Sequence, residues 1–110
     1  MRKQNIRWPN EEQLLNLLKD IESGKVSVKL DKKESADLSV YHFDTSNKWR
    51  IGVFIDCGEF DYIDYIRHGG KIIDYDKLRR FCPKVNEYAS KFRDRKLAKK
   101  VWGIGIEFKL

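Results

Sequence analysis

Four acidic side chains lie close together near the middle of the chain, interleaved with aromatic residues. The acids fall within nine residues that contain no Lys or Arg, and they are Asp56, Glu59, Asp61 and Asp64. The aromatics are Phe54, Phe60, Tyr62 and Tyr65. Aromatic anchors beside carboxylates are typical of surfaces that bind a basic protein, since the rings supply contact area and the charges steer the encounter. We therefore predict a partner-binding surface made of Asp56, Glu59, Asp61, Tyr62, Asp64 and Tyr65.

Two simpler explanations of the same acids stay open. In the first, the acids are solvated residues of the sheet that discourage edge pairing. In the second, the acids pair with basic helices of the same chain. The register of the hairpin decides which carboxylates face the core: a two-residue turn at 57–58 pairs Ile51 with Asp64, and a three-residue turn pairs Val53 with Asp61. In either register one carboxylate lies beside apolar neighbours, where loss of hydration requires a compensating partner.

The acids lack the companions that catalysis or metal binding requires. Asp61 and Asp64 are predicted on opposite faces of one strand, which prevents them from acting as a pair. Asp56 is not part of a calcium-loop pattern, and no nucleophile, base or phosphate loop accompanies the cluster. We therefore expect no enzymatic activity, no metal site and no cofactor.

The histidines and cysteines are similarly isolated. Neither His42 nor His68 has a ligand or triad partner at a suitable spacing, and Cys57 and Cys82 form no C-x-x-C pair. Two distant thiols without a preceding export signal are typical of the reducing cytosol, so we expect a cytoplasmic protein. No apolar run approaches the roughly 20 residues of a membrane span, and we expect no membrane partner.

A second charged feature occupies the C-terminal third. Residues 77–100 carry ten basic and two acidic side chains, which is +8 in a chain of net charge +6. On helices these side chains would form a ridge suited to phosphates, because each contact releases counterions. The candidate nucleic-acid-binding residues are Arg79, Arg80, Lys91, Arg93, Arg95, Lys96, Lys99 and Lys100. The alternative is a solvated outer face, since the stretch matches no known nucleic-acid-binding motif.

The elements that must position these residues follow from local patterns. Asn10 is a suitable cap for an amphipathic helix that ends at Ser23-Gly24. Apolar and polar residues then alternate in four segments, predicted as strands at 26–30, 38–43, 49–55 and 60–67. Asp74, Pro83 and Asp94 begin helical segments, and 104–110 alternates again as a terminal strand. The 110 residues thus predict one α+β domain, in which a four-strand antiparallel meander and a C-terminal strand pack against an N-terminal helix and C-terminal helices.

The predicted hairpin at residues 49–64 resembles one found in a family of small uncharacterised bacterial proteins. Those proteins are similar in size and also place an acidic, tyrosine-bearing hairpin in mid-chain. The resemblance implies a bacterial or phage origin and implies no activity.

Two functions follow as expectations. The first is a non-catalytic protein-binding module, in its most concrete form a bacterial immunity or inhibitor protein that neutralises a toxin through the acidic aromatic hairpin. The second is a nucleic-acid-binding protein, or a phage inhibitor of a host defence complex, that uses the 77–100 ridge. A toxin or other effector protein is the expected partner, nucleic acid is the alternative, and the oligomeric state stays open.

Overall fold

A five-stranded antiparallel sheet lies at the centre of the structure, a computed structural model that describes residues 10–35 and 39–105. The strands lie in chain order, β1-β2-β3-β4-β5, with α1 before them and three further helices after them. The elements are α1 (Glu11–Ser23), β1 (Val28–Leu30), β2 (Val40–Thr45), β3 (Trp49–Asp56), β4 (Glu59–His68), β5 (Lys71–Asp74), α2 (Tyr75–Phe81), α3 (Pro83–Ala89), a 3-10 turn (Ser90–Arg93) and α4 (Arg95–Trp102). The predicted α+β class is confirmed.

The helix boundaries follow the predicted capping residues. The Asn10 side chain accepts a hydrogen bond from the backbone N–H of Gln13, and Gly24 ends α1 with a φ of 87°. Asp74 and Asp94 cap α2 and α4 in the same way. These caps satisfy backbone N–H groups that have no partner within the helix, which is why the boundaries could be predicted locally.

The described sheet contains a strand, β5, that the sequence did not predict. Gly69, with a φ of 63°, makes a tight reversal after β4, so that Lys71 pairs with His68 and residues 71–74 become β5. The predicted terminal strand, 104–110, falls mostly outside the described residues. Of its members, Ile104 and Gly105 are described. Ile104 forms a β-bridge and is buried, and its backbone N–H donates to the carbonyl of Ala98.

The register of the β3–β4 hairpin differs from both predicted alternatives. The turn has two residues, 57–58, and Asp56 pairs with Glu59 as that turn requires. The pairing then shifts twice, so that Ile51 pairs with Ile66 rather than with Asp64. Each shift leaves one extra residue on β4, a β-bulge, and the two extra residues are Asp61 and Asp64.

The bulges are what allow β4 to bury its apolar residues on one side. Phe60, Ile63 and Ile66 are spaced by three, whereas a regular strand repeats every two residues. One extra residue in each interval returns the next apolar side chain to the core. As a consequence, Asp61 and Asp64 have no directly opposite partner on β3.

The core lies on one side of the sheet. Leu14, Leu18 and Ile21 of α1 join the inward residues of the sheet, and α2, α3 and α4 add Leu78, Val85 and Trp102 among others. The described helices thus all bury residues in a single cluster. None of them buries a core residue against the opposite face of the sheet, to which Arg50, Gly52 and Phe54 of β3 belong. We call this face the uncovered face.

Candidate functional site

Part of the predicted acidic surface is occupied by basic residues of the same chain. The Arg95 Nε donates to Glu59 Oε2 at 2.7 Å, and the Arg93 Nε donates to the carbonyl of Asp61 at 2.9 Å. The Arg93 guanidinium also lies 3.7 Å from the Asp61 carboxylate. The two arginines are well exposed and the two acids are partly exposed, so each pair contributes little stability, about 0–1 kcal/mol. The intramolecular match left open by the sequence therefore applies to Glu59 and Asp61, while Asp56 stays exposed at the hairpin tip.

The other three predicted residues, Tyr62, Asp64 and Tyr65, belong to the uncovered face of the sheet. The Tyr62 ring stacks on Phe54, with centroids 5.0 Å apart and planes at 13°. The Tyr62 ring also contacts the ring of Tyr75, the first residue of α2, with centroids 4.3 Å apart and planes at 38°. Three rings from two strands and a helix thus form one continuous aromatic surface, which we call the aromatic stack.

The aromatic stack opens onto a depression of about 380 Å³. The side chains that line it are Tyr62, Asp64, Tyr65, Ile72, Asp74, Tyr75 and Asp76. They include three carboxylates and no Lys or Arg, and Ile72 is 54% exposed although it is a large apolar residue. Exposed apolar area surrounded by charges of one sign is typical of a surface that binds a macromolecule.

Asp64 is the most unusual member of this surface. It is half-buried, and within the described residues no basic side chain lies within 4 Å of it. Burial raises the pKa of this carboxyl group, Asp74 adds to that effect, and His42 opposes it. A half-buried carboxylate without a cation is unfavourable for folding, so Asp64 is a candidate for a functional rather than a structural role.

Tyr65 joins the depression to a polar network on the same face. Its hydroxyl lies 2.8 Å from His42 Nδ1 and accepts a hydrogen bond from Arg50 Nε at 3.3 Å. Arg50 in turn donates to Asp44 at 2.8 Å and to Asp31 at 2.9 Å. Burial alone would lower the pKa of Arg50, but its hydrogen bonds to Asp31, Tyr65 and Asp44 outweigh burial and raise it.

The Tyr65 ring occupies the space that a side chain on Gly52 would need. A Cβ atom at position 52 would lie 2.1 Å from Tyr65 Cε1, far inside van der Waals contact. Gly52 is also the direct cross-strand partner of both His42 and Tyr65. The absence of a side chain on Gly52 therefore allows the Tyr65 hydroxyl to reach His42 and Arg50 across the sheet.

The predicted basic ridge is divided among α2, the 3-10 turn and α4. All eight of its candidate residues are exposed: Arg79, Arg80, Lys91, Arg93, Arg95, Lys96, Lys99 and Lys100. Three of them pair with acids that are distant in sequence. Arg93 and Arg95 pair with Asp61 and Glu59, and the Lys91 ammonium lies 2.9 Å from the Glu22 carboxylate. Arg79 lies 3.9 Å from Asp76. Lys96, Lys99 and Lys100 have no ion pair among the described residues.

Sequence reasoning missed several residues of the uncovered face. Phe54 was recognised as an aromatic neighbour but not as part of a stack, and Ile72 and Tyr75 were not associated with the surface at all. For β3, the sequence alternation could have placed Phe54 on this face. Arg50, Gly52 and Phe54 are two residues apart and therefore lie on the same side of the strand. The contribution of α2 had no such signal, because it depends on where the chain turns after β5.

Other kinds of site receive no support from the described part of the chain. Within residues 10–35 and 39–105, His, Cys, Asp and Glu do not form a group of three or more that is suited to a metal ion. No described helix is both long and apolar enough to cross a membrane. Comparison with protein-family models, curated proteins and solved structures finds no match to the chain.

Proposed function

We propose that this protein is a non-catalytic protein-binding module that recognises a basic partner through the uncovered face of its sheet. Its most concrete form is a bacterial immunity or inhibitor protein, which neutralises a toxin by covering the toxin's basic surface. The observation that carries the proposal is the depression beside the aromatic stack, where exposed aromatic and aliphatic area is combined with three carboxylates and no lining cation.

The combination matches what binding energy at interfaces requires. Tyr62 and Tyr75 already contact each other, with ring centroids 4.3 Å apart, and tyrosine has few rotatable bonds, so little side-chain entropy is lost when a partner contacts them. Asp64 gains a favourable environment only when a cation approaches. An arginine on the partner would both stack on a tyrosine ring and pair with a carboxylate.

The overall charge of +6 does not prevent recognition of a basic partner. Exposed charges further apart than about 8 Å are largely screened at physiological salt, so the local sign of a surface decides short-range attraction. Glu59 and Asp61 already pair with Arg95 and Arg93, so the proposal relies on the acids of the depression instead. Among these, Asp64 has no ion pair within the described residues, whereas Asp76 lies 3.9 Å from Arg79 and Asp74 caps α2.

The test is an affinity pull-down with matched variants. The double variant I72R/D76R reverses the character of the depression at two exposed positions, because Ile72 is 54% exposed and the Asp76 side chain 84% exposed. The control E87R makes a similar charge change on α3, at an exposed position outside the depression. All three proteins must first show the same thermal unfolding midpoint.

Each lysate from the source cell is divided, and one half is treated with nuclease. We expect the wild type and E87R to recover the same protein in both halves, and I72R/D76R to lose it. The recovered protein is then purified, and its activity or toxicity should be inhibited by one equivalent of wild type. If all three baits recover the partner equally, binding does not depend on the depression, and the uncovered face is rejected as the binding surface.

Nucleic-acid binding is a second candidate because of the charge on α4. That helix carries Arg95, Lys96, Lys99 and Lys100 and no acidic residue, and its three lysines have no ion pair among the described residues. Recovery of nucleic acid alone, lost in the nuclease-treated half and weakened steeply by salt, would favour this function over the first.

A further inference from the structure

A cavity of about 370 Å³ lies between the tip of the β3–β4 hairpin and α4, apart from the uncovered face. Its volume falls within the range of small-molecule sites, roughly 300–1,000 Å³. The residues that line it are Cys57, Gly58, Glu59, Phe60, Arg93, Arg95, Ala98, Lys99, Ile104 and Gly105. The cavity therefore joins two segments of opposite predicted charge, the acidic hairpin and the basic ridge.

The lining has both an apolar part and a charged part. Phe60, Ala98 and Ile104 belong to the buried core and present their outer surfaces to the cavity. Arg93, Arg95 and Lys99 supply three positive charges, and Glu59 supplies the single negative charge among the lining residues. The net charge of the lining is therefore +2, since three cations are opposed by one carboxylate.

Both arginines already have acidic partners within the chain. Arg93 donates to the carbonyl of Asp61 and lies near its carboxylate, and Arg95 donates to the carboxylate of Glu59. Lys99 is different, because no acidic side chain of the described residues lies within 4 Å of its ammonium group. The cavity thus has a cation without an ion pair beside an apolar wall, with two ion-paired guanidinium groups nearby.

We propose that this cavity binds a small organic anion that has an apolar body and one carboxylate or sulfonate group. The body would contact Phe60, Ala98 and Ile104, and the anionic group would pair with Lys99. A phosphate backbone uses the charges alone and has no need of the apolar wall, so the two kinds of ligand are distinguishable. The site does not overlap the aromatic stack, and the proposal stands whether or not the uncovered face binds a protein.

The probe for this site is 8-anilinonaphthalene-1-sulfonate, whose apolar rings and single sulfonate match the proposed ligand and whose fluorescence rises in an apolar environment. The full chain is titrated as wild type, K99Q and K96Q. Lys96 lies on the same helix and is also exposed, but it does not line the cavity. K96Q is therefore a matched control for general loss of positive charge.

We expect one saturable site in the wild type, a dissociation constant raised roughly threefold to tenfold in K99Q, and no change in K96Q. Octanoate, an anion with an apolar chain, should displace the probe at concentrations where acetate and inorganic phosphate do not. Equal weakening in K99Q and K96Q, unsaturable fluorescence, or displacement by phosphate as effective as by octanoate would each overturn the proposal.

Discussion

The contact between Gly52 and Tyr65 predicts that a single added methyl group will disrupt the polar network of the uncovered face. In the variant G52A, the new Cβ would lie 2.1 Å from Tyr65 Cε1, whereas ordinary van der Waals contact begins at 3.4 Å. The ring must therefore move by about 1.3 Å, the difference between these two distances. A shift of that size breaks the hydrogen bonds of its hydroxyl with His42 and Arg50.

The expected cost follows from these bonds. The bond between Tyr65 and His42 should contribute about 1 kcal/mol, as a neutral hydrogen bond does. A hydrogen bond to a charged group contributes about 1.5–3 kcal/mol, and the long bond from Arg50 should lie at the lower end of that range. Alanine in a strand is favoured over glycine by roughly 0.5–1 kcal/mol, which offsets part of the loss. We expect G52A to lower the free energy of unfolding by about 1–2 kcal/mol.

A double-mutant cycle separates the clash from other effects of the substitution. In a Y65A background the ring is absent, so G52A should be neutral or should stabilise the protein by up to about 1 kcal/mol. The coupling between the two positions is then about 2 kcal/mol, within the range for residues in contact. The assay is urea unfolding followed by tryptophan fluorescence, with G70A as the control.

Gly70 is a suitable control because a Cβ atom there would meet nothing within 4 Å and its backbone has no positive φ. G70A should change the stability by no more than a few tenths of a kcal/mol. If G52A has the same effect in the wild-type and Y65A backgrounds, the close approach of Tyr65 to Gly52 does not hold the network together, and the reasoning is refuted.

Two further predictions concern titratable groups. Because burial raises the folded-state pKa of Asp64, its ionisation lowers stability as pH rises from the ordinary pKa of 3.8 to the raised folded-state pKa. D64N should therefore be more stable than the wild type at pH 7 in urea unfolding, and the gain should vanish by about pH 3, where the carboxyl is largely protonated in both states. A gain that persists at pH 3 would show that charge is not its cause. Asp56 raises the pKa of the exposed Cys57 thiol, so D56N should increase the rate of its alkylation by iodoacetamide at pH 7.5, measured by mass spectrometry, while buried Cys82 stays unmodified until the chain unfolds. An unchanged rate in D56N would exclude the proposed electrostatic control of Cys57.

Local patterns were sufficient to predict α1 and the caps of the later helices. Asn10, Asp74 and Asp94 each satisfy backbone groups a few residues away, so their role does not depend on the rest of the fold. The two-residue turn at 57–58 is local in the same sense. Cys57 and Gly58 both have positive φ, as the tightest hairpin connection requires.

The hairpin register could not be predicted from the turn alone. Counting back from residues 57–58 placed Asp64 opposite Ile51, because that count assumes a regular ladder. The spacing of Phe60, Ile63 and Ile66 was a visible departure from the two-residue period, and it indicates the bulges once β4 is known to bury only one face. Burial of these three residues outweighs the lost regularity of pairing.

Composition, periodicity and capping residues thus determine the helices, most of the strands and the α+β class, since each depends on interactions within a few positions. Only the tertiary structure decides which charges meet. Arg93 and Asp61 are 32 positions apart, and His42 and Tyr65 are 23 apart. No local rule brings such residues together, because their distance depends on strand order, on two bulges and on the packing of helices on one side of the sheet. The same packing places the aromatic stack and the half-buried Asp64 on the other side of the sheet, at the surface proposed to bind a partner.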